Sequence, residues 1–499
     1  MKKIDNLVAG KWASSDHFFS STNASFAIAT RNEVARSVEA AHEVFPFYGN
    51  STLKIRAAFL GHIIEALTKE KEAILMAYQT ESQLTQGRAE GEFGRTIHQI
   101  QCFVELLEQG DYLQATLHHP EEGAEIRKML QPIGPVAVFG ASNFPLAFST
   151  AGGDTISALA AGCPVIVKAH PYHPMTSFLV AQAIHAAVIT AGLPLGVFSH
   201  LQSDSHSLGQ ALVEHPQLCG VGFTGSFKGG KALYDLAQQR PVPIPLFAEM
   251  GSINPMVLFP GMLSHENVPQ ELGDSICLGS GQFCTNPGLI IAFGEHSLLD
   301  KLETKLTQVL LSKEAQPMVH EAIAKGYKEK LTHLKGQLKL TAGAQAALGV
   351  VTAKQFLDNP VFQEELFGPY SLLVRCSSLE EVKEILLALD GQLTLSLLGT
   401  QEDQPQLKQL LPIAQQKAGR ILFQGVPTGV AVTQAMMHGG PFPASTDGRF
   451  SAVGTDAIYR WLRPVSYQDC PEALLPLALQ KNNPLGLMRK VNGKMTKEM

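Results

Sequence analysis

The sequence predicts an α/β protein built around a doubly wound parallel sheet. Between residues 136 and 237, short continuous apolar runs alternate with windows of helical periodicity, which is typical of parallel strands buried on both faces. Val136–Phe139, Val165–Val167 and Gly220–Phe223 are the clearest strands. A length of 499 residues exceeds what one hydrophobic core holds, so a second domain and a cleft between the two are expected.

Helical periodicity dominates the chain before the first of these strands. Val34–Phe45 and Gly87–Leu107 are expected to be helices, and apolar residues recur from Leu53 to Tyr78 at a spacing that predicts one long amphipathic helix. Near the C-terminus, Leu485–Met488 is an extended segment too short to be stable alone, so we expect it to pair with Ile126–Leu130 or with a neighbouring subunit. The other expected elements are the helices Thr150–Ala161, Ser177–Ala191, Ser207–Glu214, Ser226–Ala237 and His296–Leu311 and the strands Val257–Phe259, Leu289–Ile291, Ser371–Val374 and Leu393–Leu398.

Three loops follow the carboxyl ends of parallel strands and are therefore expected to share one edge of the sheet. Ligands of doubly wound sheets bind at this edge. Residues 139–143, 168–171 and 224–230 follow three of the strands and should line one crevice. The third loop opens a helix, where free N–H groups and the helix dipole can bind a pyrophosphate. Its sequence is not GxGxxG, and a plain helix N-cap at Ser226 explains it equally well.

Composition excludes several classes of partner. Lys and Arg number 39 against 45 Asp and Glu, for a net charge of -6 without a basic run, so nucleic acid is not expected to bind. The seven cysteines are scattered and lack metal-ligand spacing, which predicts free thiols, no metal site and a cytoplasmic location. No window reaches membrane-spanning length and no signal-peptide core follows the N-terminus, so no membrane partner is expected.

One cysteine lies in a setting typical of an exposed nucleophile. In Gly281-Gln282-Phe283-Cys284-Thr285-Asn286-Pro287-Gly288, turn-forming residues let backbone and substrate approach the sulfur. A cysteine in a turn is more often unreactive. However, Glu249 lies 35 residues upstream, between an apolar run and Gly251, where a buried carboxylate can act as a general base. The pair favours the catalytic interpretation.

Six motifs, in their order and spacing, resemble those of the aldehyde dehydrogenase superfamily over essentially the whole chain. They are Gly140-Ala141-Ser142-Asn143-Phe144-Pro145, Val167-Lys168, Phe223-Thr224-Gly225-Ser226, Glu249-Met250-Gly251, the Cys284 octet and Glu365-Leu366-Phe367-Gly368-Pro369. The first motif, the octet and His438-Gly439-Gly440-Pro441 look like the branch that holds 2-oxoglutarate semialdehyde dehydrogenases and an NADP-linked fatty aldehyde dehydrogenase.

This resemblance implies the aldehyde dehydrogenase fold, which has three parts. A Rossmann-like cofactor-binding domain would comprise residues 1–113 and 133–250, and a second α/β domain, the catalytic domain, residues 251–463. Residues 114–132 and 464–499 would form a small β flap for oligomerisation, so a homodimer or homotetramer is expected.

The resemblance also implies a role for each motif residue. Cys284 would attack the aldehyde carbon, and the Asn143 amide and the Cys284 N–H would donate to the oxyanion. Glu249 would activate water to hydrolyse the thioester, and its presence favours a free carboxylic acid as the product. The cofactor would contact Lys168 with its adenosine ribose, Gly225, Ser226 and Gly230 with its pyrophosphate, and Glu365 and Phe367 near its nicotinamide ribose.

One departure from the family's pattern concerns the cofactor. NAD-preferring relatives carry a glutamate three residues after the lysine, and Pro171 stands at that place here. Without an acid there to repel a 2′-phosphate, and with Lys168 and His206 as cations, NADP should be preferred over NAD, which would still be usable.

Two classes of small-molecule aldehyde remain as substrates, 2-oxoglutarate semialdehyde and long-chain fatty aldehydes, with a catalytically silent scaffold as a remote third alternative. A distal carboxylate needs a cation in a partly dry site, and we hypothesise that Arg95, assisted by Ser445, binds it. Pairing of Arg95 with Glu92 or Glu90 on its own helix is an equal alternative. Arg88 is interpreted as part of a solvated charged face.

Overall fold

Among the residues that the structure describes, the part of the chain before residue 250 contains twelve strands and eight α-helices. The structure is a computed structural model that describes residues 2–22 and 24–498. The strands, in chain order, are β1 (Lys2–Ile4), β2 (Asn6–Val8), β3 (Lys11–Ala13), β4 (Phe18–Ser21), β5 (Ala24–Ala27), β6 (Thr116–His118), β7 (Ile126–Pro132), β8 (Val136–Phe139), β9 (Val165–Lys168), β10 (Phe198–Leu201), β11 (Gly220–Thr224) and β12 (Leu246–Glu249). The helices are α1 (Arg31–Gly49), α2 (Leu53–Lys69), α3 (Lys71–Ser82), α4 (Gln86–Gln109), α5 (Gly153–Ala161), α6 (Pro174–Thr190), α7 (Ser207–Glu214) and α8 (Phe227–Gln238).

Seven of these strands form the doubly wound sheet, in the order β12-β11-β8-β9-β10-β2-β3. Strands β8 to β12 are parallel. Successive residues of a strand point to opposite faces, and both faces of β8 are buried: Val136 and Val138 pack with α2, α4 and α6, whereas Ala137 and Phe139 pack with α1 and α7. The expected two-sided burial is therefore confirmed, and the carboxyl ends of these strands share one edge.

The second part of the chain builds another α/β unit. Its strands are β13 (Met256–Leu258), β14 (Leu289–Phe293), β15 (Lys339–Ala342), β16 (Ala347–Thr352), β17 (Tyr370–Cys376), β18 (Gln392–Leu398) and β19 (Ala418–Leu422). Its helices are α9 (Pro260–Leu263), α10 (Val268–Cys277), α11 (His296–Ser312), α12 (Glu321–Leu334), α13 (Ala353–Asp358), α14 (Leu379–Ala388) and α15 (Gln404–Lys417). The strand order is β15-β16-β17-β14-β13-β18-β19, and only the edge strand β15 is antiparallel to its neighbour in this sheet.

Two smaller sheets complete the described fold. Strands β20 (Leu462–Gln468), β21 (Arg489–Val491) and β22 (Lys494–Thr496) join β6 and β7 in the order β20-β7-β6-β21-β22. The N-terminal strands β1, β5 and β4 form a three-stranded sheet. Because β20 pairs with β7 on one side and is an edge of its sheet, its outer backbone groups are available for pairing with another chain.

Two local expectations are wrong. Leu53–Tyr78 is not one helix, since α2 ends at Lys69 and α3 begins at Lys71, and no glycine or proline marks the break in the sequence. The C-terminal strand is β21, not Leu485–Met488, and it pairs with β6 and β22. Arg489 of this strand is buried, and its guanidinium donates to the carbonyls of Gln480 and Lys481. A pattern of apolar residues does not reveal such a contact.

No helix among the described residues combines the length and apolar character needed to cross a bilayer. All seven cysteines are free thiols, as their scattered positions predict.

Candidate active site

Three side chains with acid–base or nucleophilic chemistry meet where the two α/β units face each other. His438 Nε2 lies 3.4 Å from Cys284 Sγ and 2.9 Å from Glu249 Oε2. One ligand-type atom from each of the three residues lies within 4.8 Å of those of the other two. Glu249 and His438 are buried, and Cys284 is half-buried. The structure therefore brings the predicted nucleophile and the predicted base together, with a histidine in contact with both.

The loop that carries Cys284 is held by backbone contacts. Gly281 has φ +66°, and a Cβ there would lie 2.3 Å from the Gly368 carbonyl, so only glycine fits. On the other side, Asn254 Nδ2 donates to the Cys284 carbonyl at 2.8 Å and to the Asn286 carbonyl at 2.9 Å. These contacts fix the backbone on both sides of the sulfur.

Glu249 is the last residue of β12, and a segment from the C-terminal part of the chain pairs with its strand. The Thr446 N–H donates to the Ala248 carbonyl, and the Met250 N–H donates to the Ala444 carbonyl. Ser445 lies between them and forms an isolated antiparallel bridge with Glu249. His438 belongs to the same segment, residues 438–446, which we call the returning segment. This segment therefore places the histidine against the Glu249 carboxylate.

The electrostatics of the pocket favour the neutral thiol. Burial raises the pKa of Cys284 well above its usual range, the negative charges of Glu249 and Glu365 raise it further, and the charge of Arg95 lowers it. A nucleophilic step therefore needs a group that removes the thiol proton. His438 Nε2, 3.4 Å from the sulfur, is close enough to accept it, and an oxygen of Glu249 lies within 4.8 Å of the sulfur.

Asn143 lies at the mouth of the pocket, beside the Cys284 loop. Its Nδ2 donates to the Gln282 carbonyl at 3.0 Å, which leaves the second amide proton for another acceptor. The buried His173 braces the Asn143 loop, because its Nε2 lies 2.7 Å from the Ala141 carbonyl. The oxyanion role of Asn143 stays a prediction.

Two arginines of α4 pack on aromatic rings near the Cys284 loop. The Arg88 guanidinium lies 4.4 Å from the ring centroid of Phe144 and 4.3 Å from that of Phe283. Its side chain is only 19% exposed and lies 3.6 Å from a Glu92 oxygen. The expectation that Arg88 belongs to a solvated face is therefore wrong, because two rings and a carboxylate enclose it. Arg95 packs on Phe148, 5.4 Å from the ring centroid.

The carboxylate of Glu92 is engaged by groups other than Arg95. Its oxygens accept from the Tyr78 hydroxyl at 2.7 Å and from the Leu146 and Ala147 N–H groups at 2.8 and 3.0 Å. Arg95 forms no ion pair within 4 Å among the described residues, and its Nη1 is buried there without a hydrogen-bond partner.

The field at Arg95 comes from the active site as well as from its own helix. Burial lowers the pKa of Arg95, while the charges of Glu92, Cys284 and Glu249 raise it. The ring of Phe148, on which Arg95 packs, lies 6.0 Å from the ring of His438, so a single aromatic side chain lies between Arg95 and the histidine of the cluster. Ser445 has a structural contact, because its Oγ accepts from the Gly440 N–H at 3.0 Å, and its role toward a substrate stays a prediction.

The carboxyl edge of the doubly wound sheet carries the residues predicted to bind the cofactor. Lys168 is the last residue of β9 and pairs with Leu201 of β10, so the loops that carry Pro171 and His206 leave the same edge. Burial lowers the pKa of Lys168 to about 8, and the nearby Asp204 carboxylate raises it. Asp204 is an acid near the lysine that sequence reasoning overlooked.

The N-terminus of α8 offers a cradle for a phosphate group. Ser226 is the N-cap, and its hydroxyl accepts from the Gly229 N–H at 3.2 Å. Residues 225–228 are exposed, so the first N–H groups of the helix face the crevice. Gly230 is buried, and a Cβ there would lie 2.7 Å from the Met250 sulfur. These features fit a dinucleotide.

Glu365 reaches the crevice from the second α/β unit. A Cβ on Gly251 would lie 2.3 Å from its Oε2, so glycine lets the carboxylate approach the backbone just after Glu249. Burial raises the pKa of Glu365 to about 7, Lys330 and a hydrogen bond from the Ser252 backbone lower it, and Glu249 raises it. Phe367 is half-buried two residues later.

Comparison with known proteins agrees with this geometry. The sequence profile described as "Aldehyde dehydrogenase family" matches residues 10–406. The chain belongs to the aldehyde dehydrogenase family. This aldehyde dehydrogenase is 46% identical over 488 residues to "Alpha-ketoglutaric semialdehyde dehydrogenase 2" of Azospirillum brasilense, covering 94% of the chain and 93% of the relative.

A second curated relative and a solved structure extend the comparison. "Alpha-ketoglutaric semialdehyde dehydrogenase" of Acinetobacter baylyi is 42% identical over 491 residues, with 94% and 93% coverage. The fold is similar to that of 1-pyrroline-5-carboxylate dehydrogenase from Thermus with bound NAD, with a TM-score of 0.82, 18% identity and coverage of 94% and 93%. The fold expected from the sequence is confirmed, as is an oxidoreductase acting on aldehydes with a nicotinamide dinucleotide.

His438 is the residue of the site to which sequence reasoning assigned no role. Its position before Gly439-Gly440-Pro441 served only as a mark of the branch. It lies 154 residues from Cys284, and nothing in the local sequence indicates that the two side chains meet.

Proposed function

We propose that this aldehyde dehydrogenase oxidises 2-oxoglutarate semialdehyde to 2-oxoglutarate. The observation that carries the substrate assignment is the buried Nη1 of Arg95, which lacks a hydrogen-bond partner among the described residues and belongs to a guanidinium packed on Phe148, a ring 6.0 Å from that of His438. A cationic group that lacks a partner in a partly dry site favours a substrate with a carboxylate. The two relatives at 46% and 42% identity are named for this aldehyde.

The first half of the reaction makes the aldehyde carbon tetrahedral. The Cys284 thiol gives up its proton to a base in the pocket, and the sulfur bonds to the carbonyl carbon to form a thiohemiacetal. Asn143 Nδ2 and the Cys284 N–H stabilise the oxyanion. Arg95 holds the distal carboxylate, so the carbonyl is kept at the sulfur.

The second half releases the acid. A nicotinamide bound in the crevice would supply the acceptor for the hydride that leaves the tetrahedral carbon. The acyl group then remains on Cys284 as a thioester, and Glu249 removes a proton from the water that attacks it. The carbon–sulfur bond breaks, and the carboxylic acid leaves with the water's oxygen. Lys168 and Glu365 would hold the two riboses of the dinucleotide, and the first turn of α8 would hold its pyrophosphate.

The competing functions lack a comparable observation. A fatty aldehyde has no distal charge, so it would leave the Arg95 guanidinium without a partner. A silent scaffold has no need for a thiol, a carboxylate and an open dinucleotide crevice in one place. The test is kcat/KM for 2-oxoglutarate semialdehyde, succinate semialdehyde, hexanal and decanal, each with NADP and NAD. A preference for decanal would overturn the substrate assignment.

Replacement of Arg95 by alanine should weaken binding of the acidic substrate selectively. We expect KM for 2-oxoglutarate semialdehyde to rise by a factor of about ten or more, because one charge-assisted contact is lost. The kinetics with hexanal should change little. Steady-state assays with both aldehydes measure the difference.

Arg449→Ala is the matched control, because the Arg449 side chain is 81% exposed and pairs with Asp447. It should leave both substrates unaffected. If Arg95→Ala changes hexanal and the semialdehyde alike, Arg95 is structural and the fatty-aldehyde alternative gains.

We also propose that NADP is preferred over NAD. Pro171 replaces the ribose-binding acid, and Lys168, which has no ion pair within 4 Å among the described residues, can meet a 2′-phosphate. Pro171→Glu should shift the ratio of kcat/KM values about tenfold or more toward NAD, through repulsion of the phosphate and a new contact to the 2′-hydroxyl. A wild-type preference for NAD would contradict the proposal.

Asp204 provides the control for this substitution. Its carboxylate is the acid that acts on Lys168 here, so Asp204→Asn should preserve or strengthen the preference for NADP. If wild type prefers NAD and Asp204→Asn alone reverses that preference, Asp204 has taken over the role of the missing glutamate.

Assembly and location extend the proposal. The five-stranded sheet ends in the exposed edge strand β20, which suits pairing between subunits, so we propose a homodimer or homotetramer in the cytoplasm. Sedimentation equilibrium of the purified protein measures the assembly, and a monomer would contradict it.

A further inference from the structure

We propose that Cys284, Glu249 and His438 form a binding site for a thiophilic divalent cation of the Zn²⁺ type, whose occupancy switches the enzyme off. The cation would be a reversible inhibitor and not a resident cofactor. The site uses the residues of the proposed function, but its existence does not depend on the identity of the aldehyde or on turnover.

The separations between the three side chains suit one small cation. Zinc binds sulfur at about 2.3 Å and nitrogen or oxygen at about 2.0–2.2 Å, so the ligand atoms of a tetrahedral site lie roughly 3.3–3.6 Å apart. Here Cys284 Sγ and His438 Nε2 are 3.4 Å apart, and His438 Nε2 and Glu249 Oε2 are 2.9 Å apart. One ligand atom from each of the three residues lies within 4.8 Å of the other two. Movements of a few tenths of an ångström to about 1 Å convert this cluster into a coordination shell.

The donor set selects the class of cation. A thiolate, an imidazole and one carboxylate are ligands of zinc and related transition metals, whereas Mg²⁺ and Ca²⁺ prefer shells of oxygen. Three protein ligands leave a fourth position for water, as in open zinc sites.

One polar atom in the cluster is unsatisfied. Glu249 Oε2 is buried without an aligned hydrogen-bond donor among the described residues, although His438 Nε2 lies 2.9 Å away. A buried carboxylate oxygen without a donor is costly, and coordination of a cation removes that cost. The neighbouring Glu365 would favour the cation, and Arg95 would oppose it.

Three separate parts of the fold supply the ligands. Glu249 ends β12, Cys284 precedes β14, and His438 lies on the returning segment that pairs with β12. The cluster is therefore held by tertiary structure and exists only in the folded enzyme.

Occupancy would have a direct chemical consequence. The Cys284 thiol loses its proton to solvent and its sulfur bonds to the metal, while an oxygen of Glu249 and His438 Nε2 complete the protein shell. The nucleophile and the base are then both unavailable, so aldehyde and metal compete for the sulfur. A chelator removes the metal, and the sulfur takes back a proton.

The test is metal binding to the full-length, metal-free enzyme, followed without turnover. Calorimetry with Zn²⁺ should show one ion per chain, and Co²⁺ used as a probe should give the near-ultraviolet charge-transfer band of a cobalt–thiolate bond. Cys284→Ser should abolish the band. His438→Gln and Glu249→Gln should each raise the Kd for Zn²⁺ by roughly 100-fold or more. Loss of a residue that only supports a ligand raises the Kd by roughly 10- to 100-fold.

The chain offers a matched control on the surface of α4, where Cys102 Sγ lies 3.7 Å from His98 Nε2. The double variant His98→Gln, Cys102→Ser should keep the band and the Kd of wild type. Loss of binding in this variant, or unchanged binding in His438→Gln, would overturn the proposal.

A second measurement needs no substituted protein. Zn²⁺ should protect Cys284 of wild type from alkylation by iodoacetamide, as read by peptide mass spectrometry, and EDTA should remove the protection. Equal alkylation with and without Zn²⁺ would overturn the proposal. Metal binding by an enzyme that does not oxidise 2-oxoglutarate semialdehyde would leave the site intact and contradict only the proposed function.

Discussion

Replacement of Cys284 by alanine is expected to abolish aldehyde oxidation while NADP binding stays intact. Without the sulfur no thiohemiacetal or thioester can form, so the loss should be on the order of 10⁶-fold, the scale on which a hydrolase loses activity with its nucleophile. The groups proposed to bind the cofactor are Lys168, the first turn of α8 and Glu365, and the substitution removes none of them. NADPH absorbance measures the reaction, and calorimetry measures NADP binding.

Cys102→Ala is the matched control for this variant. Cys102 is another half-buried thiol near a histidine nitrogen, but it lies on α4, outside the pocket. The Cys102→Ala variant should oxidise aldehydes at the wild-type rate. Substantial turnover by Cys284→Ala, with its fold verified by thermal melting, would remove Cys284 from the mechanism.

Replacement of Glu249 by glutamine is expected to separate the two halves of the reaction. Hydride transfer should still give a burst of about one NADPH per active site, because Cys284 remains. Steady-state turnover should fall by about 10²- to 10⁴-fold, the usual contribution of a general base, since water is no longer deprotonated at the thioester. Stopped-flow absorbance resolves the burst from the steady state.

Added hydroxylamine gives the sharper test of this role. It attacks a thioester without help from a general base, so it should restore turnover in Glu249→Gln but leave Cys284→Ala inactive. Mass spectrometry of the quenched variant should detect the acyl group on Cys284. If the burst disappears together with the steady state, Glu249 acts before hydride transfer, as the acceptor of the thiol proton.

Much of the site was predictable because its residues lie in short stretches with local signals. Cys284 is flanked by glycines and a proline, Glu249 by an apolar run and a glycine, and Ser226 by a strand and a helix. Such signals act over a few residues, through turn geometry and strand ends. The same reasoning predicted the strands from Val136 to Thr224, because burial on both faces requires continuous apolar runs.

The local signals were misleading where a charged residue is buried. Arg88 follows the pattern of an exposed helix face, yet Phe144, Phe283 and Glu92 enclose it. Arg489 is likewise buried in β21, where the backbone carbonyls of Gln480 and Lys481 accept hydrogen bonds from its guanidinium. The two rings that enclose Arg88 come from distant parts of the chain, and the carbonyls that bind Arg489, only eight and nine residues away, belong to an irregular segment whose path the local pattern does not encode.

By itself, the sequence determined the fold class and marked Cys284, Glu249 and the loops after the strands as candidates for the site, because periodicity, turn residues and strand ends are properties of neighbouring residues. Only the tertiary structure decided that His438 touches both Cys284 and Glu249, and that Glu92 is already engaged while Arg95 Nη1 is not. These contacts join residues far apart in the chain, up to 189 positions in the case of Glu249 and His438. Packing of the two α/β units sets such distances, and the local pattern of residues does not encode them.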